Sequence, residues 1–148
     1  MSYQERRSLV SLIGTLILLV VYGLFIAGQA QAAGPQVAND LQFWATAILL
    51  LIPVMIAFGV VLEVAYVVGN IIATRREEPD IRDEYDRLVS LKSTRNFYHT
   101  FMAAFVLAML AVALGQPAAA MFVVLLAGIF AASVVIYASE IYYYRRGV

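Results

Sequence analysis

Cysteine is absent from this 148-residue chain, which removes disulfides, thiolate metal sites, iron–sulfur clusters and cysteine nucleophiles from consideration. Histidine occurs once, as His99, so a bis-histidine haem would need its second ligand from another chain. Charge is scarce as well: 14% of residues are charged and 63% hydrophobic, too little polar material to cover a soluble domain of this length. Ten acidic residues offset ten basic ones, so net charge argues neither for nucleic acid nor for an acidic substrate. No phosphate-cradling glycine loop, G-x-S-x-G elbow or H-E-x-x-H motif is present, and no cofactor is expected.

What the chain does have is four long apolar runs, at about 8–27, 43–72, 97–114 and 117–144, each able to cross ~30 Å of hydrocarbon. Every Lys and Arg falls on one side of them. Arg6 and Arg7 precede the first run, Arg145 and Arg146 follow the last, and the other six lie in or beside the 73–96 connection. The connections from Gly28 to Gln42 and from Gly115 to Pro117 carry no positive residue. Because basic residues near membrane helices stay cytoplasmic, this pattern predicts one all-α domain over residues 1–148. It is expected to be an integral membrane four-helix bundle with both termini in the cytoplasm. Arg6-Arg7, an apolar stretch and Ala30-Gln31-Ala32 resemble a secretory signal, but the stretch from Leu9 to Ala27 exceeds the roughly 7–15 residues of a signal core and is read as a span.

Local punctuation refines the picture. Phe43 and Trp44 open the second span, where aromatic rings are expected at the outer interface. Pro53 is expected to kink that helix. Gly115-Gln116-Pro117 predicts a tight turn, with glycine just past one helix and proline opening the next. Tyr142, Tyr143 and Tyr144 suggest an inner aromatic belt. In the 73–96 connection, Ile81, Tyr85, Leu88 and Leu91 recur at helical spacing, with Asp83, Glu84, Asp86 and Arg87 on other faces. An amphipathic helix is therefore expected to lead from about Asp80 into the third span.

Each helix also carries polar residues at helical spacing, mainly in its cytoplasmic half. These are Ser8, Ser11, Thr15 and Tyr22 on the first; Gly59, Glu63, Tyr66 and Asn70 on the second; Lys92, Arg95 and His99 on the third; and Ser133, Tyr137, Glu140 and Tyr144 on the fourth. Polar groups are costly in hydrocarbon, so such stripes should face one another. The candidate cavity comprises Glu63, Tyr66, Asn70, Arg95, His99, Ser133, Tyr137 and Glu140, open toward the cytoplasm and sealed outside. Glu63 and Glu140 are expected to meet Arg95, Lys92 or His99, either as structural ion pairs or as titrating acids. A metal site built from Glu63, His99 and Glu140 is geometrically conceivable, although no spacing demands it. Gly128 and Ala132 form a small-xxx-small pair for close helix packing, within the bundle or across a dimer.

The stretch E-E-P-D-I-R-D-E-Y-D-R-L-V-S-L-K-S-T-R-N, from Glu77 to Asn96, resembles a group of small bacterial membrane proteins of unknown function. In that group a D-E-R-D-like acidic element and a downstream Lys lead into a membrane helix. Asp83, Glu84, Asp86 and Lys92 fit, while Tyr85 stands where the group has Arg. The opening E-R-R-S-L-V-S-L-I and the closing Y-Y-Y-R-R-G-V are similar too. The resemblance implies a bacterial inner-membrane protein of four helices. It brings no activity, cofactor or catalytic residue.

Three functions compete. The first is a non-enzymatic membrane protein, in contact with lipids, that binds or regulates a membrane or cytoplasmic partner through a docking segment carrying Asp80, Asp83, Glu84, Asp86 and Lys92. The second is a small homo-oligomeric transporter or channel built on the polar cavity. The third is an enzyme acting on lipid head groups with a divalent ion held by the acidic series from Asp80 to Asp86.

Overall fold

The computed structural model describes residues 3–74 and 84–147. Four long helices account for nearly all of them: α1 (Tyr3–Ala33), α2 (Leu41–Thr74), α3 (Glu84–Ala113) and α4 (Ala118–Arg146). All four are long and apolar enough to cross a membrane. The start of α1, the later part of α2, the start of α3 and the end of α4 gather at one pole, the charged end. The α1–α2 connection and the α3–α4 turn lie at the other, the turn end.

Helix α1 runs six residues past the predicted span. Gly28 sits inside the helix, because the Ala and Gln residues after it favour helix. The actual stop is Gly34, whose φ of 84° lies in the left-handed region that glycine enters freely. A 3₁₀ turn over Pro35–Asn39 follows. Asp40 then starts α2: its carboxylate accepts the Phe43 amide at 3.1 Å and its carbonyl accepts the Trp44 amide at 3.3 Å. Pro53 lies within α2, which continues on both sides of it.

The α3–α4 turn is tight, as its sequence suggests. The Gln116 amide reaches back to the Ala111 carbonyl and the Gly115 amide to that of Val112, the paired bonds of a Schellman cap. Gly115 supplies the positive φ of 77° that this cap needs. Pro117 occupies the position just before α4.

Helix α4 is the hub. It packs on each of the other three helices, most extensively on α3, whereas α2 packs on α1 and α4 but, among the described residues, forms no extensive interface with α3. The α3–α4 seam is made by small residues. A Cβ on Gly128 would lie 2.3 Å from the Ala104 Cβ, and Ala108, Ala132 and Ser93 are fully or almost fully buried. The small-xxx-small pair thus works inside the molecule, letting two backbones approach closely.

The packed face of α3 differs from the predicted one. Tyr85, Leu88 and Leu91 are exposed, while Val89 and Ser93 are completely buried, with Asp86 and Asn96 half-buried along the same face. Ile81 lies outside the described residues. Small and polar residues let α3 approach α4 closely, so Val89 and Ser93 take the seam and the larger Tyr85, Leu88 and Leu91 stay outside it.

Candidate functional site: a polar cavity at the charged end

Two adjoining chambers occupy the space that α2 and α3 leave between them. The chamber at the charged end has a volume of about 620 Å³ and is lined from all four helices, by Arg7, Ser8 and Ser11 of α1, Glu63 of α2, Glu84 and Arg87 of α3, and Tyr137 and Glu140 of α4, among others. The deeper chamber, about 400 Å³, shares Ser11, Glu63 and Tyr137 with the first. It then turns apolar, with Leu18, Met55, Phe58, Leu62, Phe97 and Ile136 in its walls.

Ion pairs and hydrogen bonds between helices hold the charged end. Arg7 grips Glu63 with two bonds, Nη2 to Oε1 at 2.5 Å and Nε to Oε2 at 3.1 Å, the fork geometry that suits a guanidinium and a carboxylate. Ser8 donates to Glu140 at 2.7 Å. Arg145 pairs with the buried Glu5, tying the chain's two ends together. On the α3 side, the Tyr144 hydroxyl donates to Asp86 at 3.0 Å and the Tyr85 hydroxyl to the Tyr143 carbonyl at 2.7 Å. Asn96 donates to Ser139 at 3.0 Å, and the Lys92 ammonium lies 5.8 Å from the centre of the Tyr143 ring.

The turn end is closed by packing. Tyr22, Ile26, Trp44, Ala47, Leu51 and Phe130 form a buried cluster, with Phe122 and Leu126 against it. The ring planes of Trp44 and Phe122 are within 13° of parallel, and the indole N–H of Trp44 donates to the Val37 carbonyl at 2.8 Å. The Tyr22 hydroxyl donates to the Ala47 carbonyl. Trp44 thus opens α2 with its ring buried against the protein, and Tyr22 belongs to the same cluster instead of continuing the polar stripe of α1. Each ring finds its polar partner within the protein, which makes burial tolerable.

Of the residues expected in the cavity, Glu63, Ser133, Tyr137 and Glu140 line it. Tyr66 and Asn70 are half-buried on α2 and are not among the lining residues of either chamber. Arg95 and His99 are exposed on α3, away from both chambers, so the expected pairing of Glu63 and Glu140 with Arg95, Lys92 or His99 is replaced by Arg7 and Ser8 of α1. Helix α3 meets only α4 in a packed interface, and that contact is made by the face opposite those two residues. The His99 ring lies near Tyr98 instead, and among the described residues no group of three His, Asp or Glu side chains is placed to hold a metal.

In the expected docking segment, Asp80 and Asp83 lie outside the described residues. Glu84 faces the cavity, Asp86 holds Tyr144 and Lys92 sits on Tyr143, so the described part is turned toward the protein's own helices. Sequence reasoning missed Arg7 as the partner of Glu63. The available signal was its depth: with both near the charged end, the first turn of α1 lies level with the last third of α2.

No family model, curated protein or solved structure matches this chain.

Proposed function

We propose that this chain is a non-enzymatic integral membrane protein that binds a ligand in the polar cavity at its charged end. Its four helices span the membrane, the charged end faces the cytoplasm, and the turn end faces the opposite side. The placement of all ten basic residues supports that orientation, and the resemblance described above favours a bacterial inner membrane. The observation that carries the binding reading is the pair of adjoining chambers, whose walls combine an oriented Arg7–Glu63 pair, serine and tyrosine hydroxyls and an apolar floor. A few fixed polar groups in a concave, otherwise apolar site are the usual make-up of a small-molecule site.

Transport fits less well, because the aromatic cluster around Trp44 closes the turn end. Docking of a protein through the segment before α3 draws less support, since Asp86 and Lys92 are engaged with α4. Native mass spectrometry of the protein in nanodiscs formed directly from its own membrane distinguishes these readings. A small molecule retained by the protein and lost in Ser11→Trp, which fills both chambers, is the expected result. A stoichiometric partner protein, with nothing retained in the cavity, would replace this reading with docking.

A further inference from the structure

Resting on the cavity reading, we infer that the occupant is a membrane phospholipid whose head group carries a primary ammonium. Three features of the site combine in this assignment. First, the chambers run from a polar head compartment to an apolar one in a single direction, from the charged end toward the middle of the helices. An amphiphile whose head lies at the membrane boundary and whose chain points inward has that same gradient. A free polar metabolite would leave the walls formed by Leu18, Met55, Phe58 and Phe97 without apolar contact.

Second, the cavity has a side door. Among the described residues, helices α2 and α3 form no extensive interface, and the residues flanking the gap, Gly59 on α2 and Leu91 and Thr94 on α3, are exposed. A Cβ built on Gly59 would meet nothing within 4 Å. A lipid could therefore enter sideways from the bilayer and keep an acyl chain in the gap, whereas a soluble ligand has no use for an opening onto hydrocarbon.

Third, the charged groups of the head compartment are of both signs, as a zwitterion requires. Among the described residues, Glu63, Glu84, Asp86 and Glu140 line it together with Arg7 and Arg87, four carboxylates to two guanidiniums. The guanidiniums suit a phosphodiester, which accepts hydrogen bonds only. The carboxylates and the Ser8 and Tyr137 hydroxyls suit an ammonium that donates three N–H bonds. A trimethylammonium head has no such donor, and an anionic glycerol head would face a compartment rich in carboxylates.

The test uses the full chain with Ser11→Cys as its one thiol, purified in detergent. A water-soluble maleimide reports access, and phosphatidylethanolamine or phosphatidylcholine with identical acyl chains is added as the probe. Ser11→Cys should label in detergent alone. Phosphatidylethanolamine should protect it at ~tenfold lower concentration than phosphatidylcholine, the weak end of what charge-assisted hydrogen bonds contribute. Adding Gly59→Phe, which obstructs the side door without entering a packed interface, should abolish protection while leaving labelling intact. Equal protection by the two lipids, protection that survives Gly59→Phe, or protection by water-soluble phosphoethanolamine alone would each overturn the lipid assignment, and the cavity reading would stand. A thiol at Ser11 that never labels would overturn the cavity reading itself.

Discussion

The two ends of this molecule solve the same problem in opposite ways. Each must satisfy polar groups on helices surrounded by hydrocarbon. At the turn end, Tyr22 and Trp44 are buried, and their single donors are matched to the carbonyls of Ala47 and Val37. Nothing is left over, so the region packs solid. At the charged end, groups with several donors and acceptors pair between neighbouring helices around a cavity lined from all four of them. Neutral groups with one hydrogen bond each make a plug, and charged groups with several make a site. Among the described acids, only Asp40 lies at the turn end, and there it caps a helix.

Breaking the plug should have the largest effect. Trp44→Ala removes the ring stacked on Phe122 and leaves the Val37 carbonyl unmatched, at a cost of about 3 kcal/mol. Reversible unfolding in mixed micelles measures this, and a loss below ~1 kcal/mol would mean that the turn end is not a packed core. Next comes the α3–α4 seam, where Gly128→Val forces branched carbons against Ala104 and should cost about 2 kcal/mol in the same assay.

The charged end should yield less for each change. Glu63→Gln strips Arg7 of its carboxylate. The pair is partly exposed, with 42% of the Glu63 side chain accessible, so the expected loss is about 1 kcal/mol. A double-mutant cycle with Arg7→Gln should assign most of that loss to the pair; additive effects would show that the two side chains do not act together. Smallest of all should be Arg95→Gln and His99→Gln, within ~0.5 kcal/mol of the parent, since both side chains are exposed and distant from the cavity. A large effect from either would restore the sequence-based expectation that they serve Glu63 and Glu140.

The legible part of the fold was the part written in hydrophobicity and charge sign. Four apolar runs became four helices, Gly115 closed the predicted turn, and Glu63, Ser133, Tyr137 and Glu140 converged from two helices on one cavity. The illegible part was which faces meet. Periodicity marked Tyr85, Leu88 and Leu91 as one stripe on α3, but that stripe stays exposed, and the smaller Val89 and Ser93 fill the seam. Partner choice was hidden for the same reason. Arg95 and His99 are nearer to Glu140 in sequence than Arg7 and Ser8 are, yet they are exposed on α3 and Ser8 is the residue that reaches Glu140. The burial of Trp44 was hidden because an aromatic residue at a span's edge looks the same in sequence whether its ring is exposed or lies beneath the 3₁₀ turn that accepts its N–H.

The central claim is a cavity open at the charged end and closed at the turn end. A chain without native cysteine permits a direct test, with Ser11→Cys and Gln116→Cys probed separately in right-side-out and inverted vesicles using a membrane-impermeant maleimide. The account predicts that Ser11→Cys reacts only from the cytoplasmic face and Gln116→Cys only from the opposite one. Reaction of Ser11→Cys from the Gln116 side would mean that the Trp44 plug opens, and the molecule would have to be read as a pathway across the membrane.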